Sequence, residues 1–318
     1  MTPTTVLSIV GPGRSGTTIL ASVLGEVPGV VSVGELRWLW RRGVLERRPC
    51  GCGLPLDECP VWSVVLPKVR QGTADAAEIT AAQDTLSSLR HRLRVIRDAA
   101  RGVTGWVPLD RVREVTAELL PAIAAVTGAR VIVDSSKRAH DAAVLAGLPG
   151  IDHYVLHMVR DPGAVAYSWQ RRDKTVRVAG GTRPMATRRL LPSVARWNEN
   201  CLSAEVLRRH VPPGNWLFLR YEDFAAQPRA AIDCVLAFLG QDAPSPFVDE
   251  DAVMLGTNHT IAGNPIRFRT GRVRIALDDE WRRRMPRSRQ LAVRALALPL
   301  LLRYRYARIG APMRDRLR

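Results

Sequence analysis

A glycine-rich loop near the start of the chain limits what the chain can fold into. Residues 5–10 form a short apolar and β-branched run, and the loop GPGRSGTT follows at residues 11–18. Residues 17–26 then place apolar side chains at helical spacing, and a second strand-like run follows at residues 30–33. A strand, a loop, a helix and a strand in this order are the start of a parallel α/β sheet.

The same alternation returns further along the chain. Strand-like runs occupy residues 130–134, 153–159 and 215–220, and each is followed by a polar turn and a helical stretch. Residues 43–127 interrupt the alternation with an irregular cysteine-containing loop and then helical patterns. We therefore predict an α/β three-layer sandwich in which helices cover both faces of a central parallel sheet. Residues 1–318 form a single domain in this interpretation, and 43–127 are an insertion with a helical part.

The residues of the loop suit a phosphate group. Gly11 and Gly16 have the spacing of G-x-x-x-x-G-K-[ST], in which backbone N–H groups at a helix start surround a phosphate. Thr18 occupies the Ser/Thr position, but Thr17 stands where that pattern has lysine, and Arg14 is the charged residue of the loop. Because the lysine contacts the outer phosphates of a triphosphate, the loop indicates a nucleotide with one phosphate-like group at its 5′ end. A plain glycine-rich turn is the alternative.

A second candidate anion site follows the strand-like run at residues 153–159. Arg160 comes directly after it, Asp161 and Pro162 suit a helix start, and Ser168 falls about two turns into that helix. An arginine can hold a phosphate with two N–H donors, and a serine hydroxyl adds another donor. The alternative is an exposed arginine at an ordinary strand–helix junction.

Together these two segments resemble the nucleotide site of sulfotransferases that use 3′-phosphoadenosine 5′-phosphosulfate (PAPS). GPGRSGTT is similar to the family's 5′-phosphosulfate loop, and the Arg–Ser spacing is that of its 3′-phosphate site. The resemblance implies a P-loop-like fold, PAPS as co-substrate and a reaction without a metal. It implies these nucleotide-binding residues: Gly13, Arg14, Ser15, Gly16, Thr17, Thr18, Arg160 and Ser168.

Two further segments extend the resemblance over nearly the whole chain. LRYED at residues 219–223, which contains Tyr221, is similar to a family segment that lies near the nucleotide. Residues 263–274 are similar to the basic loop that closes over the 3′-phosphate and the adenine. Arg267 and Gly271 are our candidates there, although the resemblance does not decide which arginine of the loop contacts the phosphate.

The resemblance also implies the catalytic groups. A lysine after the third strand contacts the sulfate in the family, and Lys137, one of three lysines in an arginine-rich chain, stands there. Glu35 follows the second strand in a Gly-Glu context similar to that of the base in tyrosylprotein and several bacterial sulfotransferases. His140 is the alternative base, one residue away from the position of the histidine in the cytosolic members. We prefer Glu35 as the base, with Lys137 and Arg14 as the cations.

The predicted reaction is in-line transfer of a sulfuryl group from PAPS to a hydroxyl group, leaving 3′-phosphoadenosine 5′-phosphate (PAP). The acceptor is a small molecule, a carbohydrate or a lipid. Such a transfer needs a positioned acceptor, a base and cations at the leaving group. We expect partial burial to raise the pKa of Glu35 and Arg14 to oppose this rise. A P-loop nucleotide kinase or NTPase is the alternative function, and Thr17 in place of lysine counts against it.

Three cysteines lie in the loop of the insertion. A zinc site normally takes four ligands, so Cys50, Cys52 and Cys59 with no nearby histidine make an incomplete set, and we do not favour zinc. Similar loops in bacterial members of the family lie close to the acceptor, which implies that the cysteines order the loop, with a Cys52–Cys59 disulfide as one way. Three tryptophans flank the loop and either line an acceptor pocket or pack in the core: Trp38, Trp40 and Trp62.

The charge of the chain suits anionic ligands. Lys and Arg number 47 against 30 Asp and Glu, a formal net charge of +17. The arginines are spread along the chain without a nucleic-acid-binding motif, so we predict no nucleic-acid partner. The sequence shows neither a signal-peptide pattern nor the roughly 18 consecutive apolar residues of a membrane span, so we expect a cytoplasmic enzyme.

Overall fold

The computed structural model describes residues 3–69, 75–171, 175–178, 181–184 and 186–306, and for 175–178 and 181–184 it describes the backbone alone. The strands of the described residues are β1 Thr4–Val10, β2 Val30–Gly34, β3 Val131–Lys137, β4 Ile151–Val159, β5 Thr175–Val178, β6 Gly181–Pro184, β7 Trp216–Arg220, β8 Ala252–Leu255 and β9 Gly271–Arg274. The α-helices are α1 Thr17–Leu24, α2 Trp62–Val65, α3 Ala76–Ser87, α4 Arg92–Ala100, α5 Val107–Thr127, α6 Ala139–Val144, α7 Pro162–Gln170, α8 Leu190–Arg208, α9 Tyr221–Ala226, α10 Pro228–Phe238, α11 Glu280–Arg284 and α12 Arg287–Arg303.

The central sheet contains the five strands expected from the sequence. Its order is β2-β3-β1-β4-β7, and all four neighbouring pairs are parallel. The bounds agree with the sequence pattern within about two residues, except that β3 continues beyond residue 134 to Lys137. Lys137 is therefore the last residue of a strand rather than part of the following turn.

Side chains that alternate along the strands pack against helices on both faces of the sheet. Leu7 and Ile9 of β1 belong to one buried cluster with residues of α1, α9 and α10. Val6 and Val10 point to the other face, where α5 and α6 respectively cover the sheet. This alternation in a strand buried on both faces produces the three layers, so the predicted fold class is confirmed.

The insertion between β2 and β3 packs onto the sheet through its helices. Leu119 and Ile123 of α5 lie in the same buried cluster as Val6 and Ile132. The helical spacing had also included Leu89 and Leu93, which are 77% and 57% exposed. The chain turns at residues 88–91 between α3 and α4, so a single apolar stripe cannot continue through this stretch.

The topology brings the candidate residues together. The strand order changes direction at β1, which has β3 on one side and β4 on the other. In open α/β sheets, ligands bind at the carboxyl ends of the strands beside such a point. The glycine-rich loop, Lys137 and Arg160 follow or end these three strands. Among the described residues, no helix is both long enough and apolar enough to cross a bilayer.

Candidate active site

A cavity of about 770 Å³ opens at the carboxyl ends of the sheet strands. Ten of the residues predicted from the sequence line it: Gly13, Arg14, Gly16, Thr17, Thr18, Glu35, Lys137, Arg160, Ser168 and Tyr221. Ser15, Arg267 and Gly271 do not line it. The residues predicted from the sequence thus come from five separate segments that meet around one space.

The glycine-rich loop has a backbone path that only glycine allows at two positions. Gly11 has φ +133°, and a Cβ there would lie 2.1 Å from the carbonyl oxygen of Met158. Gly16, at the N-cap of α1, has φ +82°, and a Cβ would lie 2.6 Å from the ring of Tyr221. Arg14 also has a positive φ of 73°, a conformation that L-residues adopt at a cost of about 1–2 kcal/mol. The loop therefore stores backbone strain at the start of the cavity, as functional sites often do.

The position of the missing lysine offers no cation to the cavity. Thr17, which stands there, is 1% exposed in the first turn of α1. Ser15 is fully buried. Of the loop residues, Arg14 is the one that carries a charge at the cavity. The loop is thus suited to an anion held by backbone N–H groups and one arginine.

Glu35 and Lys137 form a partly buried ion pair at the cavity wall. The Lys137 ammonium donates to Oε1 of Glu35 and, at 3.2 Å, to the Ser135 carbonyl. The Lys137 side chain is 16% exposed, and the Glu35 side chain is 15% exposed. Lys137 has φ +73°, so the backbone is held in an unusual conformation at the end of β3. The predicted cation and the predicted base therefore contact each other directly.

This contact determines the acidity of Glu35. Burial acts to raise its pKa, but the charge and hydrogen bond of Lys137, together with Arg42, hold the pKa below its usual value. The expected rise is therefore wrong for this form of the protein, and the opposing cation is Lys137 rather than Arg14. The carboxylate is ionised and ready to accept a proton, but it is a weak base while Lys137 remains beside it.

Asp134 positions the segment that carries Glu35. The buried Asp134 carboxylate accepts hydrogen bonds from the Leu36 N–H at 3.1 Å and from the Ser136 hydroxyl at 2.6 Å. Burial raises the pKa of Asp134 to about 6. The sequence motifs did not include Asp134, although its place directly after the apolar run VIV was a usable signal.

Arg160 is held at the other side of the cavity by three neighbours. It donates to the carbonyl oxygens of Asp278 at 2.6 Å and Arg14 at 3.3 Å, and it pairs with the Asp278 carboxylate at 3.1 Å. Its guanidinium carbon lies 4.3 Å from the centroid of the Tyr221 ring. Asp161 caps α7 by accepting the Gly163 N–H at 2.7 Å, as predicted. Arg160 is thereby oriented while still lining the cavity with Ser168.

The LRYED segment supports this strand–helix junction. Glu222 accepts the Asp161 N–H at 3.0 Å and the Tyr306 hydroxyl at 2.8 Å. Arg220 and Asp223 form a two-point ion pair at 2.6 and 2.7 Å. Of these charged residues, none lines the cavity, whereas Tyr221 does. The charged residues of the segment are structural, and its tyrosine faces the site.

His140, the alternative base, lies outside the cavity. It is 3% exposed and its Nε2 lies 3.3 Å from the hydroxyl of Ser87 in α3. Burial lowers the pKa of His140 to about 4. The choice of Glu35 stays a prediction, but the described geometry puts Glu35 and not His140 at the cavity.

The cavity also contains residues that no sequence motif indicated. Trp169 directly follows Ser168, and its ring lies 5.2 Å from the Arg14 guanidinium carbon and 4.5 Å from that of Arg188. Arg196 and Asn200 are four residues apart on α8 and line the same wall. Of the tryptophans named from the sequence, Trp38 lines the cavity, whereas two are core residues: Trp40 and Trp62.

Arg267 is turned away from the main cavity. Its buried guanidinium donates to the carbonyl oxygens of Thr260 at 2.5 Å and Pro49 at 2.8 Å. Gly271 begins β9, which pairs with β8. In the described conformation Arg267 therefore fastens the cysteine loop to residues 258–262.

The cysteine loop differs from the expectation. All five cysteines are free, so the Cys52–Cys59 disulfide is wrong. The expectation that the three cysteines lack a fourth metal-binding side chain was also wrong, because the fold places His259 beside them. His259 follows Cys59 by 200 positions, and no local sequence pattern connects the two.

Comparison with known proteins identifies the fold. Residues 119–245 match the model of the Sulfotransferase family. A sulfotransferase domain from the Synechococcus PCC 7002 olefin synthase is 21% identical with TM-score 0.50, over 94% of this chain and 95% of that one. A sulfotransferase domain from the curacin biosynthetic pathway is 16% identical with TM-score 0.52, over 94% and 97%. No curated protein sequence matches the chain. The resemblance to sulfotransferases is confirmed.

Proposed function

We propose that this chain, which has the fold of the sulfotransferases and matches their family model over residues 119–245, moves the sulfuryl group of PAPS to a hydroxyl acceptor. The observation that carries the proposal is that two separate groups of candidate anion-binding residues line one cavity. The glycine-rich loop with Arg14 forms one, and Arg160 with Ser168 forms the other. A nucleotide with a 5′-phosphosulfate and a 3′-phosphate has one anionic group for each.

The residues at the first site fit the chemistry of the transfer. The acceptor oxygen bonds to sulfur while the bond from sulfur to the bridging phosphate oxygen breaks, and negative charge grows on that oxygen. Arg14 and Lys137 are the cations that stabilise this charge. Glu35 accepts the proton that the acceptor hydroxyl releases. Because Thr17 replaces the lysine of triphosphate-binding loops, we propose that Mg²⁺ is not required.

We propose that Lys137 changes partners when the donor binds. In the described structure its ammonium is paired with Glu35, which keeps the pKa of the carboxyl low. Donor sulfate oxygens would compete for the same ammonium, and weaker pairing with Lys137 would let burial raise the pKa of Glu35. The base would then become stronger only when a donor is present.

The remaining wall suits the acceptor. Trp38 has the guanidinium carbons of Arg37 and Arg42 at 4.1 and 3.8 Å from its ring, and all three residues line the cavity. Arg138 and Arg196 add further charge to the wall. We propose a small-molecule, carbohydrate or lipid acceptor whose polar part faces these groups. The free thiols fit a reducing compartment such as the cytoplasm.

Nucleotide binding tests the proposal before an acceptor is known. Calorimetry of the purified chain should show PAP binding that is the same with and without added Mg²⁺, and much weaker binding of AMP. Arg160→Ala should remove most of the preference for PAP, because a charge-assisted hydrogen bond contributes about 1.5–3 kcal/mol, or roughly 10- to 150-fold in affinity. Arg208→Ala, a change on the far part of α8, is the control. Equal affinity of the unaltered chain for PAP and AMP would contradict the proposal.

A further inference from the structure

Four metal-binding side chains converge outside the active-site cavity. They are Cys50, Cys52 and Cys59 of the insertion loop and His259 of the segment after β8, and their ligand atoms all lie within 4.8 Å of one another. The Cys59 sulfur lies 3.6 Å from the Cys50 sulfur and 3.2 Å from Nδ1 of His259, and the Cys50 sulfur lies 4.0 Å from that nitrogen. Cys50 and Cys59 are fully buried.

These separations match a tetrahedral metal site better than any covalent pairing. With metal–sulfur bonds of about 2.3 Å and a metal–nitrogen bond of about 2.0 Å, tetrahedral geometry separates two sulfurs by roughly 3.8 Å and a sulfur and a nitrogen by roughly 3.5 Å. A disulfide needs its sulfurs about 2.05 Å apart. Cys50, Cys59 and His259 are therefore spaced as ligands of one metal ion, and the Cys52 sulfur lies within 4.8 Å of each of their ligand atoms.

The backbone around the cluster is arranged to hold the ligands. The Cys50 N–H donates to the Leu54 carbonyl at 2.8 Å, and the Gly53 N–H donates back to the Cys50 carbonyl at 2.9 Å, which closes a tight turn. A Cβ on Gly51 would lie 2.0 Å from Oδ1 of Asn258. On the other side, the His259 carbonyl accepts the indole N–H of Trp62 at 2.7 Å. Both halves of the cluster are thus fixed by contacts that do not use the ligand atoms.

A positive group accompanies the cluster. Three thiolates and one neutral histidine around a divalent ion leave a net charge of −1. The buried guanidinium of Arg267 donates to the Pro49 carbonyl, next to Cys50, at 2.8 Å. A buried cation beside the cysteines is what a negatively charged metal centre needs.

We propose that Cys50, Cys52, Cys59 and His259 bind one structural zinc ion. Cysteine sulfur and histidine nitrogen are the ligands that zinc takes in tetrahedral structural sites, and four protein ligands leave no open position for a substrate. On binding, the three thiols release their protons to solvent. The ion joins the insertion loop to residues 258–268, and Arg48, Gly263 and Asn264 of these two regions line the active-site cavity. The zinc therefore fixes one wall of the cavity without entering the chemistry.

Metal analysis of the untagged chain, purified without chelators, tests the proposal. Elemental mass spectrometry should find about one zinc per chain. Cys59→Ser and His259→Ala should each lose most of it, whereas Cys234→Ser, which alters a half-buried cysteine outside the cluster, should keep it. Zinc content that is absent from the unaltered chain, or unchanged in Cys59→Ser, would overturn the proposal.

Cobalt gives a second measurement that does not depend on the folding of the variants. After the metal is removed from the unaltered chain under reducing conditions, Co²⁺ should bind at one equivalent and produce a thiolate-to-cobalt charge-transfer band and the strong visible bands of tetrahedral coordination. Zinc should displace it and remove these bands. A spectrum of octahedral cobalt, or a Cys50–Cys59 disulfide in the peptide map of the protein as isolated, would overturn the proposal. Removal of zinc should also lower the thermal unfolding temperature.

Discussion

Two residues, Glu35 and Lys137, are the base and a cation of the proposed reaction, and they contact each other. Their contact explains how one site can keep a carboxylate ionised and still use it as a base. The ion pair holds the pKa of Glu35 low, while burial acts in the opposite direction. If an anion draws the Lys137 ammonium away from Glu35, burial raises the pKa of Glu35. In the proposed reaction, the base strength of Glu35 therefore depends on whether a donor occupies the cavity.

The role of Glu35 can be tested by a change that keeps its shape. Glu35→Gln removes the proton acceptor but retains a side chain of the same size, so we expect turnover to fall by roughly two to four orders of magnitude with PAP affinity nearly unchanged. Turnover and calorimetric affinity are the measurements, and Glu114→Gln on the exposed side of α5 is the control. If Glu35→Gln stays active and His140→Ala is inactive, the base is His140 instead.

The pH profile reports the coupling between the two residues. A group whose pKa is depressed by a cation loses that depression when the cation is removed, so Lys137→Met should raise the pKa of Glu35. Activity that needs ionised Glu35 should then decline at a higher pH, with the acidic limb of kcat/KM displaced upwards by about 1–3 pH units. Lys68→Met, which alters an exposed lysine, should leave the profile unchanged. An acidic limb that does not move in Lys137→Met would show that Glu35 is not the titrating group.

At the scale of elements, most of the sheet could be predicted because its signals are local. Each strand is a short apolar run. The loop after β1 and the cap of α7 are each recognisable from a few neighbouring residues. The exposed Leu89 and Leu93 could not be predicted by spacing alone, because the chain turns between α3 and α4. The position of His259 beside the three cysteines could not be predicted either, nor could the contacts that turn Arg267 away from the cavity. Both depend on the contact between the insertion loop and residues 258–268, which are about 200 positions apart.

The glycine-rich loop makes a sharp prediction at this scale. Gly11→Ala should abolish PAP binding and destabilise the chain, because its Cβ would meet the backbone oxygen of Met158 and the end of β1 would have to move. Gly128→Ala is a matched control, since Gly128 also has a positive φ, at the end of α5, but its Cβ would have open space around it. Gly128→Ala should lower the free energy of unfolding by only about 1–2 kcal/mol. Urea unfolding and calorimetry measure both effects. Normal PAP affinity in Gly11→Ala would show that the loop does not need this backbone path.

At the scale of the whole molecule, part of the positive charge is concentrated around the cavity. The formal net charge is +17, and the arginines that line the cavity come from segments far apart in sequence: Arg14, Arg37, Arg42, Arg48, Arg138, Arg160, Arg188 and Arg196. The composition predicted a preference for anionic ligands, but composition alone could not predict that so many arginines would line one cavity. The fold brings them there because the segments after β1, β2, β3 and β4 and the start of α8 meet at the cavity.

Salt should therefore weaken nucleotide binding in proportion to the charge of the nucleotide. Mobile ions screen the field of the cavity arginines, with a Debye length of about 10 Å at 0.1 M and about 3 Å at 1 M ionic strength. PAP carries one phosphate more than AMP, so the logarithm of its Kd should rise more steeply with salt concentration than that of AMP. Calorimetry over a series of sodium chloride concentrations measures both slopes.

Arg160→Ala should bring the PAP slope close to the AMP slope, because the extra phosphate then loses its fixed partner, whereas Arg208→Ala should leave the two slopes apart. Equal slopes in the unaltered chain would mean that the extra phosphate remains in solvent, and the assignment of Arg160 and Ser168 to the 3′-phosphate would then be wrong.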